Sequence, residues 1–221
     1  MTQPTLFHRI TFHCFLLLPF AAGLLMLAFL FGCQPKKAPP KEQLPTVTLE
    51  NLQTAYNKEM NYQYMYSKFV AEAKKEKNKE MTNLFQAIVL SEQVHAQQHA
   101  DLMRSKGVEP KAVSYDSISV GTIVQTLKMA VSCEEIETSS MYPNMIRTAD
   151  AEKFPAAVEQ MTQCKDGDAR QAELLKDAQD HSGKIKKAQY YVCPKCGYIF
   201  NSEETSECPS CKTTKDKFSK I

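Results

Sequence analysis

The chain has 221 residues, with 27 basic against 25 acidic side chains, a formal net charge of +2, no tryptophan and eight cysteines. A balance this close to neutral gives no electrostatic case for nucleic acid. The cysteines do not form a disulfide framework, because four of them fall into two closing Cys-x-x-Cys pairs.

In chain order, residues 1–32 read as a targeting segment. Arg9 precedes an apolar run from Phe15 through Phe31, and Leu30-Phe31-Gly32-Cys33 resembles a bacterial lipobox with Cys33 as the lipidated mature N-terminus. An uncleaved signal anchor is the alternative, since Phe31 is bulky for its position. Either reading places the body in the cell envelope, tethered to a membrane; Gln34 after Cys33 favours the outer membrane of a two-membrane bacterium. Residues 33–47, rich in Pro and Lys, read as a semi-extended spacer.

Residues 48–185 repeat a helical period. One face of the first segment carries Leu52, Tyr56, Glu59, Tyr62, Tyr66 and Phe69; the second carries Met81, Leu84, Ile88, Glu92, His95, His99 and Leu102, with Gly107 as its C-cap. The third carries Ile123, Leu127, Ala130, Glu134, Glu137, Met141 and Met145. The fourth starts near Pro155 and carries Val158, Met161, Asp168, Gln171 and Leu175. Short turns near Lys77 and Asp150, with a longer crossover at 108–119, predict two helical hairpins joined into a ferritin-like four-helix bundle.

The acids fall on the wrong face. Glu59, Glu92, Glu134, Glu137 and Asp168 sit among apolar positions of all four helices, and Lys and Arg are scarce there. A buried carboxylate costs several kcal/mol unless it is paired, protonated or bound to metal. Glu92-x-x-His95 and Glu134-x-x-Glu137 each place two ligands a turn apart on one face, so the pattern describes a two-metal carboxylate site. His99 reads as a packing or hydrogen-bonding residue at the bundle's side. Cys133 and Cys164 read as two small buried thiols, offset by about 12 Å along the bundle and so beyond disulfide reach.

Residues 186–221 close the chain with Cys193-Pro-Lys-Cys196 and Cys208-Pro-Ser-Cys211, whose four thiolates make a tetrahedral cage for a single iron or for zinc. Tyr191, Tyr198, Phe200 and Phe218 supply aromatic packing around it.

From about Thr48 to its end the chain resembles the rubrerythrins. The carrying motifs are Asn51-Leu-Gln-Thr-Ala-Tyr-Asn-Lys-Glu59 with Tyr66, Ser91-Glu92-Gln-Val-His95-Ala96, Glu134-Glu-Ile-Glu137 with Met141-Tyr142-Pro143, and the rubredoxin-like tail Cys193-Pro-Lys-Cys-Gly-Tyr198 with Cys208-Pro-Ser-Cys-Lys and Phe218. The resemblance implies a mainly α fold, a ferritin-like bundle followed by a small rubredoxin-like domain. It implies iron in the cysteine cage and a carboxylate-bridged di-iron site in the bundle, with Tyr66 and Tyr142 beside the metals. It also implies hydrogen peroxide as substrate, an electron donor of unknown identity, and a head-to-tail homodimer in which one subunit's cysteine cage lies near the other's bundle. One departure stands out: the family's fourth-helix Glu-x-x-His falls on Asp168-Ala-Arg-Gln171, so one metal position keeps its ligands while the other has a shorter carboxylate and Gln171 in place of imidazole. Gly167 weakens the helix at the same place by about 1 kcal/mol relative to Ala. Peroxide reduction is the expected activity. An electron-transfer or iron-binding lipoprotein with one or no bundle metal is the rival, and a zinc-clipped scaffold the third reading.

Overall fold

The computed structural model describes residues 44–201 and 206–221. The targeting segment, the lipid site at Cys33 and most of the Pro/Lys spacer lie outside the described residues. Among the described residues no helix is long and apolar enough to cross a membrane.

Five helices follow: α1 Thr46–Lys75, α2 Lys79–Ser105, α3 Ile123–Ile136, α4 Tyr142–Ala151 and α5 Pro155–Asp180. A five-residue π-turn, Glu137–Met141, joins α3 to α4, so the two make up the third helix of a four-helix bundle. The break follows from Pro143, which lacks an N–H to continue an α-helical ladder. The turn widens just before it, and the Tyr142 N–H reaches back to the Glu137 carbonyl.

The helix ends carry their own stops. Asn78 caps α2 through a bond from the Met81 N–H to its side chain at 3.1 Å, and Thr122 with Gln125 forms a capping box on α3. Gly107, with φ +76°, closes α2 in the left-handed conformation, as the sequence predicts. The N-terminus of α1 is capped from a distance: Glu152, in the α4–α5 turn, accepts from the Thr48 N–H at 2.7 Å and the Val47 N–H at 3.2 Å. The crossover between α2 and α3 runs along α1, held by Asn61, whose amide donates to Ser114 O and accepts from Asp116 N.

The apolar core is split into two plugs. One gathers Tyr66, Phe69, Leu84, Phe85, Ile88, Leu127 and Leu175; the other gathers Leu52, Ala55, Met103, Tyr142, Met145 and Met161. Tyr56, Tyr62, Leu102, Met141 and Val158, expected on the inner face, are only half-buried.

Beyond α5 a three-stranded antiparallel sheet, in the order β2-β1-β3, is built from β1 Tyr191–Val192, β2 Ile199–Phe200 and β3 Ser219–Lys220. Alternation along its strands serves two cores. Val192 and Ile199 pack into the bundle, whereas Tyr191 and Phe200 turn to the cysteines. Asn78 also donates from Nδ2 to Gly183 O at 3.0 Å, tying the α1–α2 turn to the start of the linker before β1. Replacing Asn78 with Ala removes the cap and this tie together, and should cost about 1–2 kcal/mol in denaturant unfolding. An unchanged midpoint at unchanged slope would show that neither bond contributes.

Candidate metal centre

Between the two apolar plugs lies a polar layer. Glu59 from α1, Glu92 and His95 from α2, Glu134 from α3, Glu137 from the π-turn, and Asp168 and Gln171 from α5 are all fully buried. Six of them fall into three overlapping groups whose ligand atoms lie within 4.8 Å of one another: Glu59–Glu92–His95, Glu59–Glu137–Asp168 and Glu92–Glu134–Asp168. The structure therefore brings together the six carboxylate and imidazole residues singled out in the sequence, while Gln171 lies in the layer but in none of the three groups.

The layer is short of partners. Both oxygens of Glu92 and Glu137, one oxygen each of Glu59, Glu134 and Asp168, His95 Nδ1 and Gln171 Oε1 are buried without a hydrogen bond. Among the described residues, half-exposed Lys58 brings a lysine ammonium to the layer, its Nζ 3.8 Å from Glu137 Oε1. His95 Nδ1 faces Asp168 Oδ1 at 3.2 Å, Glu92 Oε2 at 3.7 Å and Glu59 Oε2 at 3.8 Å. So many unpaired oxygens around one imidazole nitrogen fit a pair of cations bound by carboxylates and imidazole.

Protonation shows the same deficit. Burial, then the charge of Glu59, pushes Glu92 well above the usual carboxylate range. Burial also raises Glu134, with Asp168 adding to it, and Glu137, with Glu59 and Asp168 adding to it. Asp168 is raised to about 6 by burial, against the pull of His95. Glu59 alone is held low: burial is outweighed by the neighbouring Glu92 carboxyl and the His95 and His99 imidazoles.

Two phenols aim into the layer. Tyr66 donates to Glu134 Oε1 at 2.5 Å and Tyr142 donates to Glu59 Oε1. Burial, reinforced by the carboxylates, raises both phenols well above 10, so they stay protonated donors. His99 is buried, and its Nε2 lies 2.9 Å from the Tyr142 hydroxyl, so it orients that tyrosine from inside the bundle. Cys164 is buried but Cys133 is only half-buried, and both are free thiols.

The departure at the fourth helix has a different outcome for each residue. Asp168, though shorter than Glu, reaches two of the three donor groups. Gln171 turns its amide nitrogen to Ser91 Oγ at 3.2 Å and Asp168 Oδ1 at 3.4 Å.

The closing cysteines form the second donor set. The four Sγ atoms lie within 4.8 Å of one another, three of the residues buried and Cys211 half-buried. Each knuckle turns on the residue after its second cysteine, where Gly197 (φ +74°) and Lys212 (φ +60°) donate back to Cys193 O and Cys208 O. Lysine tolerates this conformation on the exposed knuckle. The inner knuckle requires glycine, because a Cβ there would stand 2.4 Å from His95 Nε2.

That proximity is the main addition of the tertiary structure. His95 Nε2 donates to the Cys196 carbonyl at 3.1 Å, so one imidazole touches both donor sets in a single chain. The resemblance assigns such an approach to two different subunits. Ser91, Gln98, Lys58, Gly167 and Gly197 were not picked out from the sequence as site residues. The spacing Ser91–His95–Gln98, four and three residues along one helix, is the signal that could have found the first and second.

Comparison with known proteins agrees with this geometry. The family model described as rubrerythrin matches residues 50–178, a stretch that holds all six clustered carboxylate and imidazole residues. Rubrerythrin-2 of Clostridium acetobutylicum is 27% identical over 175 residues, covering 78% of this chain and 95% of that protein. Nigerythrin of Nitratidesulfovibrio vulgaris is 30% identical over 173 residues, covering 77% and 85%. A mixed-valence nigerythrin structure superposes with a TM-score of 0.73 at 29% identity, over 79% of this chain and 86% of that one. With the match spanning more than half the sequence and every helix of the carboxylate layer, the chain belongs to the rubrerythrin family.

Proposed function

We propose that the chain is a peroxide reductase of the rubrerythrin kind. The observation that carries this reading is the His95–Cys196 contact, which puts a four-thiolate set and a carboxylate set in touch through one side chain. Cys193, Cys196, Cys208 and Cys211 would hold one iron, and Glu59, Glu92, His95, Glu134, Glu137 and Asp168 two more. Iron bound there would supply one-electron chemistry at the cysteines and reduction of hydrogen peroxide at the carboxylates, with two electrons and two protons consumed per peroxide and two waters released. The electrons come from a reduced one-electron carrier outside the chain.

The chain's own residues have definite tasks. Tyr66 and Tyr142 hold Glu134 and Glu59 by their hydroxyl hydrogens, so that the other carboxylate oxygens face the layer. Glu137, with no hydrogen bond to either oxygen and the half-exposed Lys58 ammonium 3.8 Å from its Oε1, is placed to pass protons inward. The two apolar plugs exclude bulk water above and below. A head-to-tail homodimer stays part of the proposal, although one chain already brings the two sets together.

A second reading has its own support. Gln171 spends its amide hydrogens on Ser91 and Asp168, which fits an electron-transfer or iron-binding protein with a single bundle metal. Protein purified without oxygen should contain about three irons per chain and consume peroxide when supplied with reductant. About two irons with negligible turnover, unchanged by combining Gln171→His with Asp168→Glu, would favour the second reading. Zinc alone, with no visible band, would favour a scaffold.

The proposed layer also predicts a pH dependence. Glu92, Glu134, Glu137 and Asp168 keep protons in the folded, metal-free protein that the unfolded chain would release. His95, whose partners overcome burial to raise it, acts with the same sign. The folded state thus binds more protons near neutrality, and its stability falls as pH rises through the folded values. Glu59 acts oppositely, but only below the ordinary carboxylate range. The metal-free melting temperature should drop by several degrees between about pH 5 and about pH 8, and iron loading should abolish the drop by replacing the protons. A flat profile without metal would argue against the layer.

The proposal places the protein in the cell envelope, tethered through Cys33. Its support is the apolar run and the lipobox-like Leu30-Phe31-Gly32-Cys33. Mass spectrometry of the membrane fraction should find an acylated Cys33 as the mature N-terminus, and Cys33→Ala should release the protein into the soluble fraction. An unmodified Cys33 in protein that stays in the membrane fraction would favour the uncleaved signal anchor; an unmodified Cys33 in soluble protein would refute the tether.

A further inference from the structure

One face of α2 binds the inner cysteine knuckle along three successive peptide carbonyls. Ser91 Oγ donates to Gly197 O at 2.6 Å, His95 Nε2 to Cys196 O at 3.1 Å, and Gln98 Nε2 to Lys195 O. Positions 91, 95 and 98 share a helix face, so knuckle and helix meet as a three-rung ladder. The outer rungs are held from behind. Cys164 donates its thiol hydrogen to Gln98 Oε1 at 3.5 Å, which fixes the amide with its nitrogen toward the knuckle. Ser91 has one hydroxyl hydrogen and gives it to Gly197 O, so it accepts the bond from Gln171 Nε2 at 3.2 Å. The second amide hydrogen of Gln171 points to Asp168 Oδ1 at 3.4 Å. An amide can serve both partners at once; an imidazole bound to metal through one nitrogen has a single N–H left.

The ladder also has room made for it. A Cβ on Gly167 would stand 2.8 Å from His95 Nε2 and 3.6 Å from Cys196 O, and one on Gly197 would stand 2.9 Å from Ser91 Oγ. Gly167 lies inside α5 without a positive φ, so helix geometry does not ask for glycine there. Close approach of the His95 ring does, with the Cys196 carbonyl at ordinary contact distance beside it.

We propose that Ser91 and Gln171 are positioning residues: they latch the inner cysteine knuckle onto α2 so that the Cys196 carbonyl stays on His95. Gln171 thereby supports the latch through its two amide hydrogens. The consequence for electron passage between the two donor sets rests on the function proposed above; the latch itself does not.

The test uses the full chain loaded with iron. Ser91→Ala and Gln171→Leu remove the two bonds, and Gly167→Ala presses a methyl group against the His95 ring where it meets the knuckle, while favouring the helix. Hydrogen exchange at the amides of 193–199 should speed up about tenfold or more in each variant, the loss expected of one buried hydrogen bond. The visible band of the cysteine-bound iron should persist. In a single turnover with peroxide, reoxidation of that iron should slow by a similar factor. Unchanged exchange in Ser91→Ala and Gly167→Ala would overturn the latch. Faster exchange with an unchanged reoxidation rate would overturn its positioning role. If the unsubstituted protein is not reoxidised by peroxide at all, the proposed activity fails while the exchange result still decides the latch.

Discussion

Five carboxyl groups and one imidazole, stripped of water and set in a single layer, are the constraint around which this molecule is built. Like charges at such separations in a dry interior cannot all ionise without a cation among them. The apolar plugs on either side, Tyr66–Phe69–Phe85 toward one end and Leu52–Met145–Met161 toward the other, hold the layer against that repulsion. Two phenols spend their hydroxyl hydrogens on it, and a π-turn places Glu137 where a regular helix would run into Pro143. Each device costs something locally and makes sense only if cations complete the layer.

The small cysteine domain is attached to this layer more intimately than a tethered module would be. Its sheet contributes Val192 and Ile199 to the bundle core. Arg170 on α5 donates to Ile199 O and to Asn201, and Ser210 donates to Asp166 at 3.2 Å. The inner knuckle lies on His95 itself. His95 is therefore oriented by a carbonyl on one side while its other nitrogen faces carboxylates, the arrangement by which an outer hydrogen bond fixes the tautomer of a ligating imidazole.

The same contact accounts for residues that look like damage in the sequence alone. Gly167 reads as a weakened helix and Gln171 as a lost ligand. In the fold, Gly167 leaves room for the His95 ring that meets the knuckle, and Gln171 supports the serine that binds the knuckle. Cys164, read as a buried thiol without a task, orients Gln98. These roles were illegible because their partners lie on the knuckle, on α2 and on α5, far apart in sequence, and no periodicity within one helix announces them.

The sequence by itself determined the helical period, the Gly107 cap and the Pro155 start, the bundle, the two cysteine knuckles and the membership of the carboxylate layer. All of these depend on spacing within a segment, and a charged residue recurring on an apolar face signals its own anomaly. It placed Glu59, Glu92, His95, Glu134, Glu137, Asp168, Tyr66 and Tyr142 correctly on inward faces. Only the tertiary structure decided which carboxylate each tyrosine bonds, that Asp168 reaches the layer despite its shorter side chain, and that the cysteine knuckle sits on His95 of its own chain. Those are distances between elements, set by how packed helices fix side chains to within a few tenths of an ångström, and no local pattern encodes them.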